Sequence, residues 1–214
     1  MVPEIRRRVV GVVLLMTAGG LAAADRPAAD PVDPFPIGER LSYAVSWMGV
    51  HCGEMEISSW REPAADGSPT IRITVLARTT PFFDGIYRVR SRLDSYVDSI
   101  RGASSRYEEN SSEKKRTKND VWVVSEDRTE IVRTRDGEAS VIPIEVADAF
   151  DPLAFVYRLR TIRLEPGTEQ AFGLMTSRGA VETIARVTER DRLKTPAGRC
   201  DAVAVVPEPR DRMM

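Results

Sequence analysis

Histidine occurs once in these 214 residues and cysteine only twice, and that scarcity removes whole classes of chemistry. A zinc site takes several His or Cys ligands, which His51 cannot supply. Catalysis by a nucleophile and base needs an imidazole oriented by a third group. His51 and Cys52 are adjacent in a strand-like stretch, so their side chains point to opposite faces and do not form a thiolate–imidazolium pair. There is no glycine-rich phosphate loop and no dinucleotide fingerprint, and no cofactor is expected. The formal charge is −1, so nothing electrostatic invites nucleic acid. Beyond the N-terminus no apolar run is long enough to span a bilayer.

What is present begins with three zones at the N-terminus. Arg6, Arg7 and Arg8 precede an apolar run, Val9 to Leu15, which fades through Ala18, Gly19 and Gly20 into Ala22, Ala23 and Ala24. That order reads as a secretory signal at residues 1–24, cleaved after Ala24, and it places the protein in the periplasm or otherwise outside the cytoplasm. The run is shorter than the roughly 20 residues a membrane anchor needs. No cysteine follows it, so a lipid-modified end is not expected. Residues 25–36, rich in Pro, Ala and Asp, read as a disordered leader, and 37–214 as a single β-rich domain. In an oxidising compartment an even cysteine count permits a Cys52–Cys200 disulfide; free thiols are the alternative.

Period-two alternation dominates the rest. Leu41, Tyr43, Val45 and Trp47 alternate with small residues, Ile71, Ile73, Val75 and Ala77 repeat the pattern, and Val89, Leu93 and Val97 do so again. Half-buried strands look like this because successive side chains face opposite ways. Further strands are expected around Val121, from Val181 to Val187 and from Ala202 to Val206, separated by turn chemistry such as Asp66-Gly67 and Asp136-Gly137. One helix is expected after Asp151 as cap and Pro152 in its first turn, with a shorter turn over Pro81 to Ile86. The fold class is therefore mainly β: a curved antiparallel meander sheet or partly open barrel with one short helix.

Four segments resemble one known family. Gly38-Glu39-Arg40-Leu41-Ser42-Tyr43-Ala44-Val45-Ser46-Trp47, with Gly49-Val50 and Gly53, resembles the opening of domain of unknown function family 3108. Pro81-Phe82-Phe83 through Tyr96-Val97-Asp98, Asp151-Pro152-Leu153-Ala154 with Tyr157, and Lys194-Thr195-Pro196-Ala197-Gly198 follow in order, so the likeness covers about residues 37 to 206. It implies an antiparallel β-rich fold and residence in the bacterial envelope, and no activity. Cys52 and Cys200 stand where the family carries small or apolar strand residues. The sequence stops at Met214, where the resemblance implies a further hairpin, so a C-terminal truncation with an open sheet edge is expected.

Candidate sites follow from side-chain chemistry. Glu145, Asp148 and Asp151 are the acids a glycan hydrolase would use, although Asp151 already serves as a helix cap. The run Glu113-Lys114-Lys115-Arg116-Thr117-Lys118 attracts anionic headgroups unless its own acids neutralise it. Arg88, Arg90 and Arg92 share a strand face and call for an anionic ligand or for acids on adjacent strands, with Asp94 on the same face supplying part of the answer. Trp47, Phe82, Phe83 and Tyr87 either line a cavity for an apolar chain or belong to the core. The expected protein is a non-catalytic envelope module that binds an apolar or amphipathic ligand, such as a lipid or envelope component, or a protein partner.

Overall fold

The structure is a computed structural model that describes residues 37–64, 67–177, 179–195 and 198–210. The signal and leader expected at 1–36 lie outside the described residues. Eight strands follow one another in a first sheet: β1 (Arg40–Trp47), β2 (Val50–Pro63), β3 (Pro69–Thr79), β4 (Val89–Asp98), β5 (Ser104–Glu113), β6 (Arg116–Val124), β7 (Glu130–Arg135) and β8 (Glu138–Pro143). Each pairs antiparallel with the next, in strict sequence order. The sheet is open, not closed into a barrel. This is the meander that the alternation and the turns predict.

Register sorts the two faces. Ser59, Ile73, Ser95, Tyr107, Trp122 and Arg133 lie side by side across six strands, and Ile57, Val75, Leu93, Glu109 and Asp120 form the row beside them. These rows face inward, which is why Ile71, Ile73, Val97, Tyr107, Trp122 and Ile131 are buried. Polar residues in the rows are answered locally. Asp120 accepts from Arg133 Nε at 2.8 Å, Arg133 Nη2 at 2.6 Å and Trp122 Nε1 at 2.7 Å.

The inner face is covered by the rest of the chain: β9 (Ala149–Phe150), α2 (Pro152–Leu159), β10 (Glu169–Thr176), β11 (Gly179–Thr195) and β12 (Gly198–Pro209). The last strands form a separate four-stranded sheet in the order β12-β11-β10-β9, where the alternation alone suggests one continuous meander. A sheet with one oily face needs a second layer, and this one supplies it. β9 and β10 run parallel, joined through α2, a small β-α-β crossover beside antiparallel pairings between all the other named strands. Phe150, Phe155 and Phe172 from these elements meet Ile71, Ile73 and Val97 in the core. Gly173 on β10 lets the backbones close up, since a Cβ there would sit 2.5 Å from the Asp148 carbonyl oxygen.

Among the described residues there are two short helices. In α2, Asp151 accepts through Oδ1 from the N–H groups of Leu153 (2.9 Å) and Ala154 (3.1 Å), the cap read from the sequence. Its other oxygen accepts from the hydroxyls of Ser95 and Ser104 at 2.6 Å each, tying the helix to the large sheet. The second, α1 (Pro81–Tyr87), is seven residues of helix where the sequence predicts only a turn. Extended Thr80 precedes Pro81 at the first helical position, and Asp84 N–H returns to the Thr80 carbonyl.

Candidate functional site

Residues with even numbers on β1 to β4 face away from the core. Two adjacent rows of this outer face, Ser42–Glu56–Leu76–Arg92–Asn110–Asn119 and Ala44–Glu54–Arg78–Arg90–Ser112–Thr117, line an open groove of about 1220 Å³. The row between them, from Tyr43 through Ser91 to Lys118, points to the other face, so what it offers the groove is backbone. The floor is therefore made of small residues, peptide groups and Leu76.

The cations of the groove are answered by acids. Arg40 meets Glu56 at 2.9 Å, Arg78 meets Glu54 at 2.8 Å and Arg90 meets Asp84 at 2.5 Å. Asp94 receives Arg92 Nε at 2.6 Å, Arg72 Nε at 3.0 Å and the Thr74 hydroxyl. Burial works to raise the Asp94 carboxyl, but the hydrogen bonds from Arg92, Thr74 and Arg72 outweigh it and hold it below the usual carboxylate range. At the surface, hydrogen bonds from Arg90 and Thr79 pull Asp84 down to about 2. Both acids thus stay ionised at neutral pH. Asn119 Nδ2 donates to Asn110 Oδ1 at 2.9 Å, leaving a hydroxyl- and amide-rich wall on the far strands.

The aromatic candidates stand elsewhere. Trp47 is 65% exposed and Phe82 75%; Tyr87 is exposed, and Phe83, half-buried, meets Phe82 edge to face at 5.3 Å between ring centres. None of the four lines the groove. They occupy one end of the large sheet, where the β1–β2 turn, α1 and the β5–β6 turn come together. Thr80 N–H donates to the Cys52 carbonyl at 3.0 Å, joining α1 to the start of β2. Tyr87 Oη lies 3.2 Å from Glu113 Oε2, and Lys114 Nζ sits 4.8 Å from the Tyr87 ring centre.

Of the three arginines, Arg90 and Arg92 share the groove face, with Arg72 beyond Arg92 on the neighbouring strand; Arg88 is exposed at the C-cap of α1. His51 lines the groove, while Cys52 Sγ approaches the Val45 carbonyl at 3.3 Å. Cys52 and Cys200 are free thiols on strands of different sheets. Among the described residues no group of three or more His, Cys, Asp or Glu is placed to hold a metal. Glu145 and Asp148 are exposed beside a smaller surface hollow, whereas Asp151 is fully buried and committed to its cap. Burial pushes the Asp151 carboxyl up, against the pull of its hydrogen bonds from Ser104, Ser95, Ala154 and Leu153.

Three exposed apolar residues at the sheet end escape the period-two reading: Met48, Val50 and Ile86. A signal for the first two exists in the sequence, because Trp47-Met48-Gly49-Val50 is a turn built of large apolar groups where polar ones are usual. A family model described as Protein of unknown function (DUF3108) matches residues 42–214. No curated protein and no solved structure matches the chain.

Proposed function

This chain belongs to the family described as Protein of unknown function (DUF3108), and from that premise we propose an exported, non-catalytic module that holds an amphipathic ligand. The observation that carries the reading is the groove: its arginines are already paired with acids, and it adjoins the exposed aromatic end. A ligand with a bare, strongly anionic group would have to break those pairs. A neutral or zwitterionic polar part instead exchanges hydrogen bonds with Asn110, Asn119 and Ser112 while lying over Leu76 and peptide backbone. Its apolar part then reaches toward Trp47 and Phe82. The export side of the reading rests on Arg6 to Ala24 in the sequence.

A hydrolase acting through Glu145, Asp148 and Asp151 has no such support, since Asp151 offers no free oxygen to a substrate. Native mass spectrometry of the protein purified gently from a periplasmic fraction tests the proposal. A co-purifying amphipathic molecule is expected, and Leu76→Glu should remove it. Finding neither a small molecule nor any loss in that variant overturns the groove as a binding site; a bound protein in its place would assign the role to partner recognition.

A further inference from the structure

The end of the large sheet, of which the groove reading uses only Trp47 and Phe82, combines three observations. First, its apolar residues stand at the tips rather than in the core. Met48 is 84% exposed, and Trp47, Val50, Phe82 and Ile86 are exposed with it at the β1–β2 turn and on α1, which a backbone hydrogen bond from Thr80 to Cys52 holds together. Second, the turn itself is made against local preference. Met48 and Gly49 both have positive φ, 49° and 80°, the two-residue hairpin geometry that favours Asn-Gly. A methionine held there is strained for no gain in packing, as residues at functional surfaces often are. Third, the adjoining tip is cationic: Lys114, Lys115 and Arg116 with Arg88 behind them, while nearby Glu113 is engaged by Tyr87 and Asp84 by Arg90.

We propose that this end docks on the surface of an anionic lipid bilayer, with Trp47, Met48 and Phe82 entering the headgroup region and the four cations meeting lipid phosphates. The Trp47 indole favours that depth, the Phe82 ring and Met48 add apolar area, and clustered Lys and Arg supply the charge complementarity. The tips span six strands, about 24 Å at the usual strand spacing, so several headgroups are met at once. The docking surface goes beyond the ligand groove and requires no ligand in it.

The test is flotation of the protein purified from a periplasmic fraction with vesicles of phosphatidylethanolamine and phosphatidylglycerol, against phosphatidylcholine alone. Every variant is purified from the same fraction, free of the Val9–Leu15 run, so differences between variants report the sheet end. Trp47→Ser with Phe82→Ser should weaken binding to the anionic vesicles at least tenfold. Each neutralised cation among Lys114, Lys115 and Arg116 should weaken it about fivefold, an effect that shrinks in high salt. Emission of the wild type should shift to the blue on these vesicles, and Trp47→Phe should lose that shift. Met48→Asn should raise thermal stability, by suiting the turn, yet weaken binding. Variants that float like the wild type, or a Trp47 emission that does not move, overturn the proposal. Because no groove ligand is read out, that failure would leave the groove reading standing, and the converse holds for its own test.

Discussion

Replacing Asp151 by alanine removes four hydrogen bonds at once from a site with no access to solvent. The side chain caps α2 through one oxygen and receives Ser95 and Ser104 through the other, and all three residues are fully buried. Loss of the cap costs about 1 kcal/mol. Each serine hydroxyl stranded without its acceptor costs about 1–3 kcal/mol, with Ser104 still receiving the Asp151 N–H at 2.8 Å. The sum is roughly 3–7 kcal/mol, a large share of the about 5–15 kcal/mol that holds a domain folded. Urea unfolding followed by circular dichroism should show the midpoint falling by about 2 M, taking a slope of roughly 2 kcal/mol per molar. Asp151→Asn keeps the cap, and both serines can turn to accept from its amide, so its cost should be about 1 kcal/mol. An alanine variant within about 1 kcal/mol of wild type would refute the hydrogen-bond reasoning. An asparagine variant as damaged as alanine would show that the charge, not the bonding, is what the site needs.

Asp120→Ala should cost about 3–5 kcal/mol in the same assay, because it leaves the buried Arg133 guanidinium without its carboxylate; a cost below about 1 kcal/mol would count against that pair. Gly173→Ala should lose about 1–3 kcal/mol, since the obstructing Asp148 oxygen is backbone and cannot swing aside; a neutral variant would refute the close approach. Asp94 and Asp120 titrate below the ordinary aspartate value of 3.8, so below it the unfolded chain binds more protons than the native one. Stability should therefore fall as the pH drops through this range, and Asp94→Asn with Asp120→Asn should flatten that limb. Alkylation of the denatured protein without reductant should label both Cys52 and Cys200, and an unlabelled pair in the monomer would contradict their free state.

The meander was legible because each of its strands pairs with its neighbour in sequence, so alternation and turn residues carry the whole pattern. The cap at Asp151 was legible for the same reason: its partners Leu153 and Ala154 are two and three residues away. What escaped depends on distance along the chain. Alternation puts Val45 and Trp47 on the core face of β1, yet nothing local says that this strand runs past the layer covering it, and both end up exposed. Arg92 meets Asp94 along its own strand, as the sequence suggests, but that Arg72 joins them from β3 only the register reveals. The second sheet is invisible for a similar reason, since short alternating runs look alike whichever sheet they join. Its parallel pair, β9 with β10, consists of two residues and leaves almost no pattern to read.

The strictly sequential strand order also sets a timetable for folding. Hairpins between successive strands close short loops and can zip up early, while the chain is still being delivered from its N-terminal side. The lid over their greasy side, α2 with β10 to β12, comes only after residue 151. Until it arrives, a nearly complete sheet stands with Ile71, Ile73, Val97 and Trp122 uncovered, a sticky half-product vulnerable to self-association. A chaperone that shields one-sided sheets would serve this protein most in that interval.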